Sequence, residues 1–98
     1  MAKKKLKYVS SSYIDKVGRV NLGPLIDGYS NVSLYVWEPD ADRIRILPIN
    51  DPENYYSGGV RSVDHKRRIM LPRAMRGNAK RVLIAQDGEE LVLWLQFD

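Results

Sequence analysis

A chain of 98 residues suffices for one compact domain and little more. Its 44% hydrophobic and 29% charged residues are ordinary globular composition, and a formal net charge of +4 leans mildly towards an anionic partner. Cysteine is absent, which removes disulfides, thiol nucleophiles and thiolate metal sites together, and no apolar run reaches membrane-spanning length. No membrane partner is expected, and the expected location is cytoplasmic.

Residues 1–7 carry Lys3, Lys4, Lys5 and Lys7 around a single Leu6 and read as a basic, solvated tail in preference to a phosphate-touching arm. From Tyr8 a strand leads to Ile14. Residues 15–18 form a turn, because Asp15 can accept from amides two residues on and Gly18 tolerates positive φ. Arg19-Val20-Asn21-Leu22 then alternates polar and apolar, as a half-buried strand does. Gly23-Pro24-Leu25-Ile26-Asp27-Gly28 holds one helical turn, with Pro24 suited to its first position and Gly28 to the residue past its end. Residues 32–37 have strand composition, Glu38-Pro39-Asp40-Ala41-Asp42 is a turn, and Arg43-Ile44-Arg45-Ile46-Leu47 alternates again. That pair predicts a hairpin with Ile44 and Ile46 inward and Arg43 and Arg45 outward.

Pro48-Ile49-Asn50-Asp51-Pro52-Glu53 reads as connection, with residues 51–54 as the linker proper, too short to separate independent domains. Beyond it come Tyr55-Tyr56, Gly58-Gly59, a strand over 60–63, a basic turn, a short strand over 69–71 and a helical turn over 72–76. A second hairpin follows, with strands over 81–86 and 89–96 joined by Asp87-Gly88, a strong short hairpin signal.

The two halves, 8–50 and 55–98, repeat one plan. Ile14-Asp15-Lys16-Val17-Gly18-Arg19-Val20-Asn21-Leu22 aligns with Val63-Asp64-His65-Lys66-Arg67-Arg68-Ile69-Met70-Leu71 at an offset of forty-nine. Each half reads strand, turn, strand, helical turn, hairpin. A unit of about forty-five residues has too little core to stand alone. Two of them must share one. The charge is polarised as well: between Arg61 and Arg81 eight basic residues face only Asp64, while the acids gather at 38–53 and 87–98.

The segment Val63-Asp64-His65-Lys66-Arg67-Arg68-Ile69-Met70-Leu71-Pro72-Arg73-Ala74-Met75-Arg76 resembles the motif of the AbrB-like (SpoVT-AbrB) swapped-hairpin superfamily, approximately V-D-x-x-G-R-I-x-[IL]-P-x-x-[ILM]-R. It departs at Arg67, where the family has glycine, which bears on the shape of that turn. The first copy keeps Asp15, Gly18, Arg19 and Val20, has Gly23-Pro24 at the Leu-Pro step, and carries Asp27-Gly28 where the closing arginine stands. Two copies in one chain resemble the tandem MraZ branch of that superfamily, whose members are longer and more helical. The resemblance implies an all-β fold with one or two short helical turns: a swapped-hairpin, double-split β-barrel built from two tandem βαββ-type repeats. It also implies a double-stranded-DNA-binding transcription regulator, with homo-oligomerisation optional once one chain builds the barrel alone.

For that role the site residues are Lys16, Arg19, Lys66, Arg67, Arg68, Arg73 and Arg76. Arg19 and Arg68 are as well explained by ion pairs to Asp15 and Asp64. Crowded like charges at Lys66, Arg67, Arg73 and Arg76 favour an anion more strongly, and arginine can grip a phosphate or a guanine edge bidentately. Tyr35, Trp37, Trp94 and Phe97 are expected in the core or at a subunit contact rather than stacked on bases; Tyr55 and Tyr56 are more open. His65, the lone histidine, makes neither a metal site nor a triad, and Glu89 and Glu90 read as solubilising charges. No catalytic residue, no cofactor, no metal and no small-molecule substrate is expected. The reading from another class is a non-enzymatic protein-interaction or assembly module, antitoxins included, that keeps the barrel and docks an acidic partner. Non-specific single-strand binding is a third, weaker option.

Overall fold

The computed structural model describes residues 7–36, 42–50 and 59–97, and these form an almost wholly β domain. In chain order come β1 (Tyr8–Tyr13), β2 (Arg19–Asn21), a 3₁₀ turn (Gly23–Ile26), β3 (Asn31–Val36), β4 (Arg43–Ile49), β5 (Val60–Ser62), β6 (Arg68–Met70), α1 (Arg73–Arg76), β7 (Arg81–Asp87) and β8 (Glu90–Gln96). A six-stranded antiparallel sheet runs β1-β7-β8-β4-β3-β5, and β2 and β6 pair as a separate two-stranded ribbon. The hairpins β3–β4 and β7–β8 meet at the β4–β8 seam. Each leading strand then joins the hairpin from the other end of the chain, β1 on β7 and β5 on β3.

Alternation decides which side chains are enclosed. Ile44 and Ile46 of β4 and Leu91, Leu93 and Leu95 of β8 point between sheet and ribbon, where Val20 and Ile69 of the ribbon meet them, all essentially without solvent contact. Burying an aliphatic side chain of this size contributes roughly 1.5–3 kcal/mol, so the ribbon is held to the sheet mainly by its central pair.

Several boundaries differ from the sequence reading. Pro48 and Ile49 are not connection: they belong to β4, both buried, opposite Val32 and Asn31. β4 pairs with β8 only through Arg43–Ile46, so Pro48 stands where the strand has one neighbour and its missing N–H can be tolerated. The β7–β8 loop is Gly88-Glu89 rather than Asp87-Gly88, since Asp87 pairs with Glu90; Gly88 has φ 64 and Glu89 is not left-handed, the pattern of a II′ hairpin. Pro72 precedes α1 instead of opening it.

The outer face of the large sheet is less exposed than alternation predicts. Arg45 points away from the core, yet it is 93% shielded and paired with Asp87 and Glu90. Trp94 and Tyr35 lie on that same outer side, half-buried rather than in the core, and Phe97 is exposed. Lys3, Lys4 and Lys5 of the tail, most of the 38–42 turn, the 51–54 linker, Trp37, Tyr55 and Tyr56 lie outside the described residues.

Candidate nucleic-acid interface

The two acidic turns are built alike. Asp15 Oδ1 accepts from the amides of Val17, Gly18 and Arg19 at 3.0, 2.9 and 2.9 Å, and its Oδ2 accepts from Arg19 Nε at 2.8 Å. Asp64 Oδ1 accepts from the amides of Lys66 and Arg68, both at 2.9 Å, and its Oδ2 from Arg68 Nε at 2.8 Å. The ion-pair account of Arg19 and Arg68 is therefore realised. Only Nε is spent on it, and the terminal guanidinium nitrogens make no hydrogen bond among the described residues.

These contacts set the acidity of both carboxyls. The Arg19 amide, aided by its guanidinium and the Val17 amide, outweighs partial desolvation and holds Asp15 at about 2. Desolvation pushes the Asp64 carboxyl up, but the Arg68 amide and guanidinium and the Lys66 amide together leave it below the usual carboxylate range.

The departure at Arg67 does not reshape its turn. Arg67 adopts φ 61, the only positive φ of a non-glycine among the described residues, in the place that Gly18 fills with φ 102. What differs is the side chain. Arg67 Nε reaches Asp27 Oδ1 at 2.6 Å, an exposed ion pair across the two halves. At the aligned place Gly18 leaves room for Arg76, whose Nε donates to the Leu71 carbonyl at 3.0 Å; a Cβ on Gly18 would stand 2.5 Å from that nitrogen. A glycine–arginine contact on one side thus corresponds to an arginine–aspartate contact on the other.

The ribbon carries the turns at its two ends. Its register sets Val20 opposite Ile69, with Arg19 opposite Met70 and Asn21 opposite Arg68. The Leu22 amide donates to the Arg67 carbonyl and the Leu71 amide to the Gly18 carbonyl, both at 2.9 Å, and Asn21 Nδ2 donates to the Lys66 carbonyl at 3.1 Å. Because Val20 and Ile69 face the core, Arg19, Asn21, Arg68 and Met70 face away from it. Arg19 and Arg68 stand diagonally across the ribbon, roughly 8 Å apart by ordinary sheet spacing, with exposed Lys16 and Lys66 on the flanking turns.

A cleft of about 220 Å³ opens beside the first turn, where Lys16 is brought together with Arg73, Arg76 and Lys80. Its position follows from the Ile14 amide, which donates to the Lys80 carbonyl at 2.9 Å. Of the seven residues proposed from sequence, Lys16, Arg73 and Arg76 gather here, Arg19 and Arg68 lie on the ribbon, and Lys66 and Arg67 lie on its far turn. Lys80 and Asn21 were not singled out. Lys80 becomes part of the cleft through a strand register that no local signal announces, whereas Asn21 was legible in principle as the outward residue after Val20.

The Tyr8 and Trp94 rings are engaged within the protein. Arg43 sits 4.7 Å above the Trp94 ring, Trp94 Nε1 donates to Asp42 at 2.7 Å, and the Tyr8 ring lies 5.5 Å away while its hydroxyl accepts from Arg43 at 3.1 Å. Compared with known proteins, the chain matches no family model and no curated sequence.

Proposed function

We propose that this chain is a non-enzymatic double-stranded-DNA-binding protein, a transcription regulator of the AbrB type, that lays the β2–β6 ribbon along the major groove. The observation that carries the reading is the outer face of that ribbon. B-DNA's major groove admits a two-stranded β-ribbon, and Arg19, Asn21 and Arg68 are side chains suited to guanine and adenine edges. Lys16, Lys66 and Arg73 supply phosphate contacts around them. We read the offset of forty-nine, the antiparallel pairing of the two aligned segments and the exchange of leading strands between hairpins as two tandem repeats sharing one swapped-hairpin barrel.

The test is anisotropy on duplexes enriched from a random pool, with Arg68→Lys as the discriminating variant. Lysine keeps the charge and loses the fork, so affinity for the enriched duplex should fall by about 1–3 kcal/mol while affinity for random duplex stays nearly level. Equal losses on both would remove base reading by the ribbon.

A second reading has its own support. Arg19, Arg67 and Arg68 already carry intramolecular carboxylate partners, so part of the basic surface serves the barrel itself rather than a phosphate backbone, as in a protein-interaction or assembly module. That reading predicts no preference of duplex over heparin.

A further inference from the structure

We propose that the cleft between the first turn and α1 is a single phosphate-binding site, and that its counterpart in the other half has been converted into a site that takes no anion. This deepens the DNA-binding reading by assigning one backbone phosphate to one place. It also stands on chemistry independent of DNA.

Three observations converge. First, the cleft collects four basic side chains, Lys16, Arg73, Arg76 and Lys80, against one carboxylate, Asp15, which is already committed to Arg19 and three amides. Among the described residues Lys16, Arg73 and Lys80 have no carboxylate partner, so an anion would relieve an unbalanced cluster. Second, the cleft offers about 220 Å³, room for a five-atom phosphate that keeps part of its hydration.

Third, the counterpart differs at every cationic position. The backbone identifies it: the Val63 amide donates to the Ser30 carbonyl at 2.9 Å, matching the Ile14 bond to Lys80. By that alignment His65 stands for Lys16, and, with the 3₁₀ turn matched to α1 through their backbone bonds, Gly23 stands for Arg73, Ile26 for Arg76 and Ser30 for Lys80. Arg67, on the turn beside it, is held by Asp27 at 2.6 Å. Mere solubility would not concentrate the charge in one of two matching places. A ribbon that could sit on DNA in either direction is thereby given one direction, because only one end grips a phosphate.

The experiment is a two-dimensional ¹H–¹⁵N NMR titration of the full chain, first with inorganic phosphate and then with a short duplex. With phosphate, amides at 14–16 and 73–80 should shift and saturate as one site, while those at 25–30 and 63–65 stay still. Arg73→Ala with Lys80→Ala should weaken that site roughly tenfold or more, the loss of at least one charge-assisted contact, with an unchanged amide spectrum elsewhere reporting an intact fold. Equal shifts in both places, or none in either, would overturn the proposal. The duplex arm separates the two readings. Phosphate binding in the cleft without duplex binding leaves the cleft and removes its DNA role; duplex binding unaffected by the double variant leaves the ribbon and removes the cleft.

Discussion

The two turns show how far a single residue governs the geometry. Asp15 organises three amides and one guanidinium, and the protonated acid would lose most of that acceptance. Its pKa in the folded chain, about 2, lies below the ordinary 3.8, so the folded state binds this proton less readily than the unfolded one. The stabilisation is fully present above about pH 4 and is lost as pH falls through about 2, with Asp64 contributing in the same direction. Thermal melts from pH 5 to 2 should therefore show a falling midpoint. In Asp15→Asn the midpoint should start lower and fall less steeply over that window; parallel curves for the two proteins would exclude this role.

Gly18 supports a second prediction at the same scale. Its φ of 102 disfavours any side chain, and a Cβ would displace the Arg76 guanidinium from its bond to Leu71. Gly18→Ala should cost about 1–3 kcal/mol in urea unfolding. Adding Arg76→Ala should restore little, because the backbone strain remains. Arg67→Gly gains backbone relief of about 1 kcal/mol and loses only an exposed ion pair, so it should be neutral or stabilising. A clear loss there would mean that the Arg67–Asp27 pair is worth more than its exposure suggests.

Among the elements, the strands with clean alternation were the most legible. β2, β6 and the β3–β4 pair follow from Val20, Ile69, Ile44 and Ile46 facing one way along their strands. Pro48 misled because a proline signals a strand's end only where both neighbours need its N–H, and β4 has lost one neighbour by then. Asp87-Gly88 misled by one residue because Asp87 still pairs with Glu90. Arg45 could not be foreseen as shielded, since the carboxylates that cover it arrive from the far end of β7 and the start of β8. The ribbon is three residues per strand and depends on its central pair for attachment. Ile69→Ala should lower stability by about 2–5 kcal/mol, as deletion of a fully buried side chain does, whereas Met70→Ala on the outer side should stay within about 0.5 kcal/mol. Similar effects of the two substitutions in chemical denaturation would mean the ribbon does not lie with Ile69 against the sheet.

For the whole molecule, the offset between the two Asp-x-x-x-Arg segments was visible in the sequence, but their mutual pairing was not. Sequence similarity says that two segments are alike, while strand pairing depends on which hydrophobic faces are left to meet. The concentration of basic residues between Arg61 and Arg81 was also visible. What folding adds is subtraction and redistribution: Arg67 is drawn to Asp27, Arg76 is laid over Gly18, and Lys16 is carried from the first half to the cleft of the second. The cationic face is thus smaller than the motif suggested, and it is lopsided.

We propose that this reduced face binds duplex DNA. The direct measurement is anisotropy of a labelled duplex and the matching single strand across a series of salt concentrations. With about five phosphates neutralised, log K for the duplex should fall with log salt at a slope of roughly −4 to −5, and the duplex should bind more tightly than the single strand throughout. A slope near zero, or tighter binding to the single strand, would contradict the account.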